Sequence, residues 1–78
     1  MWIRSQKRNM LADINFMCLC NESDGWVIYC ESPGGVTDRL GVYSTEEKAL
    51  KVLDRIEELI ENQCGLTFYM PADDEVEV

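Results

Sequence analysis

Histidine is absent from the 78 residues. That absence removes the commonest general base, the usual activator of a serine or cysteine nucleophile, and the commonest metal ligand. No phosphate-binding glycine loop is present either: Pro33-Gly34-Gly35 lacks the lysine and helix start that such a loop requires, and reads as a turn. No apolar run approaches the ~18 residues of a membrane span, and the start lacks a signal peptide's apolar region. The expectation is a soluble cytoplasmic protein with no membrane partner. Basic residues are few, 7 Lys and Arg against 15 Asp and Glu, giving a net charge of -8. Non-specific binding to nucleic acid or anionic lipid would be repulsive at that balance.

Cysteine is plentiful by comparison. Cys18, Cys20, Cys30 and Cys64 come without an exporting signal, so reduced thiols are the expectation. A zinc site would need Cys64 from the far end of a helix to join the other three, and zinc ligands usually flank a two-residue gap in a turn. Apolar packing explains the thiols better, and neither a metal nor a cofactor is expected. The paired carboxylates Glu46/Glu47 and Glu57/Glu58 point in different directions on a helix, as a solvated surface would.

The clearest element is a helix. Ser44 and Glu47 are spaced as a capping box, which predicts a start at Thr45. Ala49, Val52, Leu53, Ile56, Leu59 and Ile60 recur at three-and-four spacing to about Asn62, with Leu53 and Ile56 central. Gly65 suits the C-terminal cap. This single stripe needs a sheet to pack on. Trp2 to Gln6 reads as an edge strand and Met10 to Cys20 as one long strand, with Met10, Ala12, Ile14, Phe16, Cys18 and Cys20 facing the helix. Asp24-Gly25 closes a hairpin into Trp26 to Glu31, a loop follows over Ser32 to Asp38, and Leu40 to Tyr43 leads to the helix. Leu66 to Met70 forms a returning strand. The fold class is therefore α+β: a small antiparallel sheet of three to five strands packed on one amphipathic helix in the C-terminal half. Residues 1–71 form a single domain, and 72–78 form an acidic, disordered tail.

Leu11, Met17, Leu19, Val27 and Tyr29 are then left on the sheet face away from the helix, which is more apolar surface than water tolerates. A homo-oligomer, in its simplest form a dimer, would cover it. Basic residues gather near the start of this acidic chain. Arg4 and Arg8, with Arg39, suit phosphates; Ser5 and Gln6 suit a base edge; Trp2, with Trp26, Tyr29 and Tyr43 in support, suits stacking of a planar ring. Trp2, Arg4, Ser5, Gln6, Arg8 and Arg39 are the candidate ligand-binding residues.

The opening Met1-Trp2-Ile3-Arg4-Ser5-Gln6, the segment from Leu40 to Leu53, and Phe68-Tyr69-Met70-Pro71 together resemble a group of small phage and prophage proteins of Gram-positive bacteria. The resemblance implies an infected bacterial cell as the setting and names no activity. Small non-enzymatic phage proteins often act as counter-defence factors, and two such roles are compatible with the residues. One is an oligomeric sponge that sequesters a small anionic nucleotide signal, of the cyclic dinucleotide or cyclic ADP-ribose type. The other is an acidic interaction protein that inhibits a host defence or nucleic-acid-binding protein by direct contact.

Overall fold

A computed structural model describes residues 2–14, 16–31, 34–35, 37–62 and 67–77. In chain order the elements are β1 (Trp2–Arg4), β2 (Leu11–Asp13), β3 (Phe16–Glu22), β4 (Gly25–Glu31), β5 (Thr37–Tyr43), α1 (Glu46–Glu61) and β6 (Phe68–Tyr69), followed by a one-turn 3-10 helix over Asp73–Glu75. The class is α+β, as the pattern predicts. The strands form two sheets of three, in the orders β2-β1-β6 and β3-β4-β5.

The segment read as one long strand, Met10 to Cys20, is divided between the two sheets. Ile14 is buried at the break, and Met10 and Ala12 pack on the core as expected. Beyond the break the alternation has shifted by one residue: Met17 and Leu19 now touch the core while Phe16 is exposed. A slip of one position moves every side chain of a strand to its other face. Cys18 and Cys20 therefore lie on the side away from the helix, opposite to the expectation, and Phe16 is left exposed beside the groove that α1 borders. The pattern concealed this because both faces of the segment are apolar.

The first strand is central rather than an edge. It pairs antiparallel with β2 and parallel with β6, with Ile3 beside Ala12 on one side and Phe68 on the other. In the larger sheet β4 pairs antiparallel with both neighbours. The turn between β3 and β4 is Ser23-Asp24, and Gly25 after it takes φ 134, where a Cβ would lie 2.7 Å from the Tyr43 carbonyl oxygen. β5 begins earlier than expected and carries a bulge: Gly41 faces Ile28 and Arg39 faces Tyr29, leaving Leu40 as the extra residue. Leu40 is buried in the core.

The helix cap sits one residue later than the capping-box reading. Thr45 is the N-cap, its hydroxyl accepting from Lys48 N–H at 3.2 Å. Ser44 instead donates its N–H and its hydroxyl to Asp73 Oδ1, at 2.8 and 3.1 Å. The expected cap at Gly65, the residue Leu66 and the fourth cysteine fall outside the described residues. Ala49, Val52 and Ile56 are buried against Ile3, Ile28, Tyr43 and Phe68. Leu53 and Leu59 flank this stripe half-buried, and Ile60 leaves it, 57% exposed.

Residues 72–77, read from composition as a disordered tail, are held by specific contacts. Lys48 Nζ donates to the Asp73 carbonyl at 2.9 Å, Lys51 Nζ donates to the Glu77 carbonyl, and the Ala72 N–H donates to Glu75 Oε1 at 2.8 Å. The Asp73 carboxylate meets Lys48 Nζ at 3.6 Å beside the positive end of the α1 dipole. Low hydrophobicity alone carried the disorder reading, and it does not register such partners.

Candidate functional site

The candidate residues divide into three groups. Ser5 is 3% exposed and serves the β1–β2 turn: its hydroxyl donates to Asn9 Oδ1 at 3.1 Å and accepts from Met10 N–H at 3.2 Å. Gln6 bridges the sheets. Its N–H donates to the Leu40 carbonyl at 2.8 Å, and its side-chain amide serves Val42 and the Pro71 carbonyl. Their polar groups are occupied within the fold. Arg8 is exposed at the turn, with φ 63, and gives its carbonyl to Arg4 Nη1 at 3.1 Å.

Arg39 lies on the larger sheet and is held by acids. Its Nη2 donates to Asp24 Oδ1 and Oδ2 at 2.9 and 2.8 Å, with Glu22 at 3.8 Å. The bond from Arg39 holds the Asp24 carboxyl below its ordinary range. Nearby, Tyr29 donates its hydroxyl to Glu22, which raises the phenol's pKa. A recess of about 210 Å³ between the β1–β2 turn and β5 does bring Ser5, Gln6, Lys7 and Arg39 together. It is smaller than the roughly 300–1,000 Å³ of ordinary ligand clefts, and most of its donors already have partners.

Trp2 and Arg4 are placed differently. Strand alternation sends Ile3 into the core and puts Trp2 and Arg4 on the outer face of the small sheet. The register sets Leu11 and Tyr69 on either side of Arg4, and Asp13 beside Trp2. Trp2 is 51% exposed and Tyr69 60%. They are diagonal neighbours across the parallel β1–β6 pair. Arg4 lies directly beside Tyr69 on that face. Its Nε is buried with no hydrogen-bond partner, while its Nη1 is turned to the Arg8 carbonyl. Tyr69 was missed in the sequence because its neighbour across the sheet comes from the other end of the chain, and no local pattern reports a parallel pairing.

A second surface feature is an apolar groove of about 370 Å³ between α1 and the strands, lined by Ile3, Ile14, Phe16, Met17, Leu53 and Ile60, among others, with Glu57 at its rim. Phe16 and Ile60 are both more than half exposed. The last turn of α1 carries no basic residue, and no lysine or arginine follows Arg55 in the chain. The negative end of the helix dipole therefore adds to Glu57, Glu58 and Glu61.

Among the described residues no group of three or more cysteine or acidic side chains is placed to hold a metal ion, and no helix is long and apolar enough to cross a membrane. Burial raises the pKa of Cys18 and Cys30; the neighbouring Cys20 adds to the effect at Cys18. No family profile, curated protein or solved structure matches the chain.

Proposed function

We propose that the protein is a non-enzymatic sponge that captures a small planar anion of the nucleotide class on the outer face of its small sheet. The carrying observation is Arg4 beside Tyr69 in the β1–β6 register, with Trp2 on the same face of β1 and both rings exposed. Stacking of a base on an aromatic ring contributes about 1–3 kcal/mol, and a guanidinium adds charge-assisted bonds to phosphate. Exposed aromatics elsewhere on a sheet would be expected to turn inward, since both rings forfeit burial where they stand. Arg8 at the adjoining turn supplies a second positive charge. In a phage setting the captured ligand would be a cyclic nucleotide immune signal.

Calorimetry against cyclic dinucleotides and cyclic ADP-ribose isomers tests this reading. Binding at micromolar or better, lost in Arg4→Ala and weakened in Tyr69→Ala while thermal melting stays near wild type, is the expected result. No binding across the panel overturns it.

The groove beside α1 favours a second reading, contact with a basic amphipathic segment of a host protein, because its apolar floor is bordered by the acidic end of the helix. A lysine-rich amphipathic peptide would bind with strong salt dependence and would lose affinity in Ile60→Ser. Failure of that peptide to bind at low salt removes this reading.

A further inference from the structure

We infer that β3 is a self-pairing edge, joining a second copy of the chain through antiparallel addition of β3 to β3. The strand lies at the open end of the β3-β4-β5 sheet, and among the described residues only β4 pairs with it. Edge strands are commonly protected by lysine, proline, a bulge or short length. β3 has none of these. It is seven residues long, keeps continuous register with β4, and reads Phe-Met-Cys-Leu-Cys-Asn-Glu.

Charge leaves this edge open to a second copy. Two copies of a chain with net charge -8 repel one another over most of their surfaces. From Phe16 to Asn21 the edge carries no charge, so here a like-charged copy approaches at little electrostatic cost. Met17 and Leu19 are only partly buried against the core, and a neighbouring strand would cover what remains.

The register follows from the hairpin. A two-residue loop makes Glu22 and Gly25 a hydrogen-bonded pair, so Cys20, Cys18 and Phe16 turn their backbone groups toward β4. Met17, Leu19 and Asn21 turn theirs toward the open edge. A two-fold axis at Leu19 sets Leu19 against its own copy and Met17 against Asn21, so that all three outward residues exchange both bonds. Cys18 then faces Cys20 of the other copy, twice. These are non-hydrogen-bonded pairs, with Cα atoms about 4.5 Å apart, inside the roughly 4.4–6.8 Å span of a disulfide. Burial and Cys20 hold the Cys18 thiol above its ordinary pKa, which disfavours the thiolate that forms a disulfide. The pairing needs no bridge.

Sedimentation at micromolar concentration and cross-linking at raised pH test this. The cross-linker is diamide, a diazene that takes two electrons and two protons from each thiol pair and leaves a disulfide. A reversible dimer is expected, with Cys18–Cys20 peptides joined between chains in mixed isotope-labelled samples. Asn21→Pro removes an N–H that the register turns toward the open edge and should raise the dimer's dissociation constant about tenfold or more. Circular dichroism confirms that the variant is folded, and Asn21→Lys serves in its place if it is not. A monomer throughout the concentration range, cross-links confined to single chains, or a dimer indifferent to both Asn21 variants overturns the inference.

Discussion

Gln6 treats Val42 as a paired strand would: its side-chain Oε1 accepts from the Val42 N–H at 2.9 Å and its Nε2 donates to the Val42 carbonyl at 3.0 Å. A single amide thus occupies both backbone groups of a residue on the outer edge of β5. The same Nε2 also reaches the Pro71 carbonyl at 3.2 Å, so three separate segments meet at one side chain.

Replacing that amide should be expensive. Gln6→Ala leaves the Val42 N–H and carbonyl without their side-chain partner, at about 1–3 kcal/mol for each group that water does not reach, while the Pro71 carbonyl keeps the Tyr43 hydroxyl at 2.8 Å. A loss of about 2–4 kcal/mol in chemical denaturation is expected. Gln6→Glu keeps an acceptor for Val42 N–H but sets a carboxylate against two carbonyl oxygens, and should also destabilise.

Core position on α1 can be read by truncation. Ile56 is 1% exposed and Ile60 57%, so Ile56→Ala should cost about 2–5 kcal/mol while Ile60→Ala stays within about 0.5 kcal/mol. Leu53, half-buried, should fall between them. Thermal melting of the three variants checks the order.

Gly25→Ala should destabilise through the backbone. The left-handed φ of 134 and a Cβ 2.7 Å from the Tyr43 carbonyl leave no room for a methyl group. A cost of at least about 1–3 kcal/mol is expected, measurable as a lowered denaturation midpoint.

Acid should loosen the segment around Asp73. Bonds from the Ser44 N–H, then from its hydroxyl and from Lys48, hold the Asp73 carboxyl below its ordinary value. A carboxyl whose folded pKa is depressed stabilises the fold fully above its unfolded value, about 3.9, and this contribution is lost as pH falls through the folded value. Asp73→Asn should therefore be less stable than wild type at neutral pH, with the difference shrinking below about pH 3.9. Urea melts across that window measure it.

The helix and the hairpin were legible in the sequence because their signals are local: apolar spacing over Ala49 to Ile56, and Asp24-Gly25 between two apolar runs. What escaped involved partners far along the chain or strands apolar on both faces. The break after Ile14 is such a case, and so is the true cap at Thr45, since Ser44 was claimed by Asp73. Among the candidate site residues, Trp2 and Arg4 stand on the outer face of the small sheet. Ser5 and Gln6 have the donors expected of a binding site, yet the fold uses those donors itself, and nothing in their spacing distinguishes the two uses.

The parallel pairing of β1 with β6 also has a kinetic meaning. Gln6 and Pro71, bonded just beyond that pair, are 65 positions apart, and closing so long a loop carries an entropic cost that local contacts do not. The β3-β4-β5 hairpins can form early from near neighbours, whereas β1 gains its second neighbour only when Phe68 and Tyr69 have been synthesised. Folding should accordingly end at the small sheet, in a late step slowed by topology. A nascent chain released short of Met70 would present its first strand unpaired on one side, which gives proteases and chaperones a means of distinguishing it from the finished protein.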